Sequence, residues 1–104
     1  MATTETVYNG RDNTNDLLLL ADGSAQDLGP VTRMVLSERS GLFSIDSQSA
    51  PAAFDWSTGT TGKVILSLGD QAIAAGTHVC RLIVYDPTNP DGIVWGQVLL
   101  KVVD

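Results

Sequence analysis

The chain has 104 residues, 43% hydrophobic and 17% charged, and its six basic and twelve acidic side chains give a formal net charge of −6. That length excludes two domains of ordinary size, and the apolar content excludes a disordered chain. Scattered basic residues on an acidic background exclude nucleic acid and anionic membrane as partners, because affinity for polyanions comes from clustered Lys and Arg. The single cysteine forms no intrachain disulfide. The start, MATTETVYNGRD, has no basic-then-apolar leader, and no run reaches the roughly 18–20 apolar residues of a membrane span. The product is therefore expected to stay where it is made, unless it leaves as part of a larger particle.

Short runs rich in branched and apolar residues alternate with turn signals, and no stretch holds a 3.6-residue period. In chain order the pattern predicts strands over Thr4–Tyr8, Asp16–Ala21, Val31–Ser37, Leu42–Asp46, Lys63–Leu68, Thr77–Tyr85 and Ile93–Val103. Residues 1–13 read as either flexible or an edge strand. Turns fall at Asn9-Gly10, Asp22-Gly23, Gly29-Pro30, Ser40-Gly41, Gly69-Asp70 and across Asp86–Gly92, where Gly, Asn and Asp accept positive φ and Pro pre-sets a bend. Gln48–Gly62 is the least regular segment, with a short strand at Phe54–Trp56. Seven strands at this spacing predict one all-β domain over 1–104, an antiparallel β-sandwich.

Alternation assigns faces. His78, Cys80, Leu82 and Val84, then Val94, Gly96, Val98, Leu100 and Val102, are expected to face the core, joined by Val64, Leu66, Leu68, Met34 and Leu36. The run Leu17–Leu20 has no parity of its own. The opposite face of the last two strands, Val79, Arg81, Ile83, Tyr85, Ile93, Trp95, Gln97 and Leu99, is then too apolar for solvent. Two readings stand: a partner surface, or a face covered by Gln48–Gly62 with Phe54 and Trp56.

No motif carries catalysis or metal chemistry. His78 and Cys80 are the only histidine and cysteine; two apart on a strand, they share a face at roughly 7 Å, too far for a thiolate–imidazole pair, and they fall short of four zinc ligands. Gly59–Lys63, GTTGK, lacks the first glycine, the Ser or Thr and the helix of a phosphate loop. Asp12–Asp16, DNTND, lacks the glycine and distal Glu of a calcium loop and reads as a solvated turn. No Ser-His-Asp pattern or local carboxylate pair is recognisable. No catalytic, cofactor-binding or metal-binding residue is assigned.

The spacing His78-x-Cys80 resembles the Tyr-x-Cys corner of immunoglobulin-type sandwiches, with His in the Tyr place and Cys80 facing a Leu of the second strand. The chain has no second Cys, and its third predicted strand, VTRMVLS, has no core Trp. Over most of residues 14–104, the segments NDLLLLADGSAQDLGPVTRMVL, GKVILSLGDQAIAAGTHVCRLIVYD and GIVWGQVLLKVV resemble small immunoglobulin-like structural proteins of tailed bacteriophages and prophages. The motifs are Asp27-Leu28 before a turn, Gly62-Lys63-x-x-Leu66-x-Leu68, Ala75-Gly76-Thr77 before an aromatic place held by His78, and a closing strand with Trp95.

That resemblance implies a non-enzymatic virion component of the tail, baseplate, fibre or head. It would be made in the bacterial host cytoplasm and assemble with other virion proteins and with itself. The expected interface comprises Arg81, Ile83, Tyr85, Ile93 and Trp95, with Asp86, Asn89 and Asp91 from the adjoining loop. A different class of function also fits: a glycan-binding or adhesion module using Trp56 or Trp95 as a stacking platform beside loop carboxylates.

Overall fold

The computed structural model describes residues 2–21, 23–57 and 62–104. Its strands are β1 (Ala2–Tyr8), β2 (Asn15–Leu18), β3 (Leu20–Ala21), β4 (Ser24–Ala25), β5 (Arg33–Glu38), β6 (Ser44–Asp46), β7 (Phe54–Asp55), β8 (Lys63–Leu66), β9 (Gly76–Asp86) and β10 (Asn89–Val103). Among the described residues there is one 3₁₀ turn, Pro51–Ala53, which precedes β7, and no α-helix. Five strands form one sheet in the order β1-β10-β9-β5-β6, three form a second in the order β2-β8-β7, and β3 and β4 make a small hairpin. Every pairing is antiparallel except that of β1 with β10. The first thirteen residues thus supply an edge strand.

The two larger sheets share one core, an arrangement compatible with an all-β sandwich. Met34, Leu36, Cys80, Leu82, Val84, Val98, Leu100 and Val102 of the first sheet are buried in one cluster with Leu17, Phe54, Val64 and Leu66 of the second. The alternation of strand side chains therefore assigns inward positions correctly over most of the chain. The leucine run resolves the same way: Leu17 and Leu19 are buried, while Leu18 and Leu20 are 51% and 42% exposed. Leu19 keeps its place because its N–H donates to Gly62 O at 2.7 Å, extending the β2–β8 edge.

Three expectations are corrected. The stretch Asp86–Gly92 is not one long loop, since β10 begins at Asn89 and leaves only Pro87 and Thr88 between the strands. Phe54 does not cover the outer face of the larger sheet; it is buried in the shared core, and Trp56 packs against that core too. The parity of β10 reverses partway. Val94 pairs with Ile83 but Gly96 pairs with Leu82, so Trp95 is an extra residue, a β-bulge. Before the bulge, Ile93 stands opposite inward-facing Val84, and Val94 turns outward beside Ile83. Trp95 itself packs against the core.

Candidate functional site

The histidine and cysteine of β9 are built into the fold. Cys80 is fully buried, opposite Val98 on one side and Glu38 on the other. Burial first, and the Glu38 carboxylate second, push its thiol up to about 11. His78 closes the corner before β9: its Nε2 donates to Ala74 O at 2.7 Å, and Phe43 meets its ring edge-on at a centroid distance of 5.3 Å. Because a carbonyl only accepts, that bond fixes the proton on Nε2. The imidazole is turned to backbone and phenyl ring, so no activated thiolate is assembled.

Among the described residues, no three or more His, Cys, Asp or Glu side chains gather as a metal would require. The DNTND stretch closes on itself: Asn13 Nδ2 donates to Tyr8 O and Arg11 O, both at 2.9 Å, and Asp16 pairs with Lys63 across β2 and β8 at 3.2 Å. Of the GTTGK stretch, Gly59, Thr60 and Thr61 lie outside the described residues, and Lys63 opens strand β8.

The structure divides the eight expected interface residues into three groups. Arg81, Ile83 and Tyr85 lie on the outer face of the larger sheet, as alternation requires. Asp86 and Asn89 are used by the turn: Asp86 Oδ1 accepts from the N–H of Thr88 at 2.9 Å, the N–H of Asn89 at 2.8 Å and Asn89 Nδ2 at 3.0 Å. Asp91 is exposed beside them. Ile93 and Trp95 leave the outer face because of the bulge.

What remains outward is a continuous surface. Across the sheet, Val79 pairs with Leu99 and Leu99 with Thr4; Ile83 stands between Val35 and Val94; Arg81 stands between Ser37 and Gln97. Val94 is 55% exposed, Ile83, Val79 and Leu99 are half-buried, and Val35 is buried although it faces outward. At one end Arg33 makes a two-pronged pair with Asp46, Nε to Oδ1 at 3.0 Å and the terminal nitrogen to Oδ2, and lies 4.7 Å over the Tyr85 ring. Those hydrogen bonds hold the Asp46 carboxyl below its ordinary value against the opposing effect of burial. Tyr85 is thereby fixed at the patch border.

Val94 belongs to this face and was not expected there; Lys101, two residues past Leu99, lies there as alternation requires. The signal for Val94 is the pair of glycines around it. Gly92 and Gly96 interrupt the strand pattern where bulges are common. At Gly92 the backbone has φ +83°, and a Cβ would stand 2.6 Å from Ile83 Cγ2 and 2.8 Å from Tyr85 Cε2. Only glycine lets this backbone lie so close to the outer side chains.

No protein-family model and no curated protein matches the chain.

Proposed function

We propose that the chain is an immunoglobulin-like, non-enzymatic structural protein of a tailed-phage or prophage particle. In this reading it is made in the bacterial cytoplasm and assembles with other virion proteins, and with copies of itself, through the outer face of the larger sheet. The carrying observation is the set of apolar side chains on the outer face of the larger sheet: Ile83 and exposed Val94 beside buried Val35 and, beyond the Ser37–Arg81–Gln97 row, half-buried Val79 and Leu99. Exposed apolar patches bordered by Arg and aromatic residues are the usual form of protein-binding surfaces.

Three features support the finer fold. The order β10-β9-β5-β6 follows G-F-C-C′ of variable-type domains, and β2-β8-β7 follows B-E-D. The His78–Ala74 bond stands where a corner tyrosine would bond back to upstream backbone. Cys80 and Leu17 share the inter-sheet core where antibody-type domains place a disulfide.

The test is incorporation of a Val94→Ser/Leu99→Ser variant into particles assembled with it in place of the wild type. Circular dichroism should be unchanged and the variant should be missing from purified particles; incorporation at the wild-type level overturns the reading. Saturable binding of a glycan, mapped by NMR to Trp56 or Trp95, would move the assignment to an adhesion module.

A further inference from the structure

The charge of the outer face differs in sign from that of the molecule. Arg33, Arg81 and Lys101 occupy paired outward positions of the larger sheet, and among the described residues Asp46 is the only acidic one that does. Arg39 continues the row just beyond β5, its N–H donating to Val79 O at 2.9 Å. Among the described residues the face thus holds four of the six basic side chains and one acidic one. Arg33 is neutralised by Asp46. Arg39, Arg81 and Lys101 are exposed, and none has a carboxylate within salt-bridge distance among the described residues.

These three cations border the apolar pair Val79–Leu99. Arg81 follows Val79 by two residues on β9, Lys101 follows Leu99 by two on β10, and Arg39 adjoins Val79 from β5. We propose that the partner of this face is an acidic protein surface: a segment whose apolar side chains rest on Val79 and Leu99 while its Asp and Glu side chains reach Arg39, Arg81 and Lys101. The proposal rests on the assembly reading and adds the chemistry of what is assembled. Two copies do not pair face to face here, since three unpaired cations would meet three unpaired cations; a copy of the chain meets this face only through an acidic part of its surface elsewhere. Nucleic acid is disfavoured by the acidic remainder of the molecule, and an apolar pair offers nothing to phosphate.

The experiment titrates the isotopically labelled full chain at low salt with a short peptide alternating Glu and Leu, a matched Lys–Leu peptide, and an oligothymidylate, followed by amide shifts. The Glu–Leu peptide should give saturable shifts centred on Val79, Arg81, Leu99 and Lys101. Affinity should fall about tenfold or more in Arg81→Glu/Lys101→Glu and by an intermediate amount in Arg81→Gln/Lys101→Gln, both changes being at exposed positions that leave the fold intact. No binding of the Glu–Leu peptide, equal or tighter binding of the Lys–Leu peptide, or equal binding of the oligonucleotide overturns the proposal. If any of these occurs while the Val94→Ser/Leu99→Ser variant still fails to enter particles, the assembly reading survives and the acidic partner does not. Normal entry of that variant removes the assembly reading itself.

Discussion

At the residue scale, Cys80 is a reactive group withdrawn from chemistry. A thiol held at about 11 has very little thiolate near neutral pH, and its side chain is closed to reagents. Iodoacetamide at about pH 8 should leave native protein unlabelled and modify the cysteine fully once urea unfolds the chain; rapid native labelling would contradict this. Exchanging Cys80 for Ser should cost about 1–3 kcal/mol by burying an unpaired hydroxyl. His78→Ala should lose about 1 kcal/mol with the Ala74 bond, measured by urea unfolding.

Carboxylates at this scale set the response to acid. Arg33 holds Asp46 below its ordinary 3.8, and hydrogen bonds from Ser40 hold Glu38 below its ordinary 4.5. As pH falls, the unfolded chain therefore takes up these protons first. The stabilisation is complete above the ordinary values and drains away as pH drops through the depressed ones. Urea midpoints measured from about pH 6 to about pH 3 should decline toward the acid end, and Asp46→Asn should lower the neutral value and flatten that decline.

At the element scale, β10 decides which side chains the outer face of the larger sheet presents. One inserted residue moves Trp95 from the surface toward the core and sends Val94 outward. Trp95→Ala should therefore cost stability, about 1–3 kcal/mol for a half-buried ring, with little effect on incorporation. Val94→Ser should do the reverse. Gly92→Val should destabilise by about 1 kcal/mol or more, since it forces a branched side chain into positive φ against Ile83 and Tyr85.

The strands themselves were legible in the sequence because their alternation and turn residues are local properties. Lys63–Leu66 and the interior of β9 appear where period-2 alternation places them. A bulge breaks that period without changing composition, so parity carried across Gly92–Gly96 assigned Ile93, Val94 and Trp95 to the wrong faces. The leucine run was silent for a related reason: with apolar residues at every position, only pairing with β8 separates Leu17 from Leu18. Asp86 and Asn89 read as interface residues because the same polar groups serve turns and partners alike; in the structure their hydrogen bonds go to the two-residue turn.

At the scale of the whole molecule, stability sits where the two sheets meet. Leu36 and Leu82 pair across β5 and β9 and are almost wholly buried. Leu36→Ala or Leu82→Ala should lower unfolding free energy by about 2–5 kcal/mol. The sheet also protects its open edge. The Asn89–Gly96 stretch of β10 extends past the end of β1, whose pairing stops with Ala2 opposite Gln97. Pro90 and the bulge at Trp95 interrupt that stretch, which are recognised ways of keeping a sheet edge from recruiting another strand.

The parallel pairing of β1 with β10 joins strands that lie far apart along the chain. When β1 emerges from the ribosome, the strand it needs has not been made, and translation at about 5–20 residues per second leaves it waiting roughly 5–20 s. Docking of β1 must then be a late, non-local step, and folding should run on the slow millisecond-to-second scale of all-β proteins. In the interval Val7 is uncovered and β10, once made, lacks its neighbour. A cell producing many copies at once faces its greatest risk of mispairing between nascent chains in those seconds.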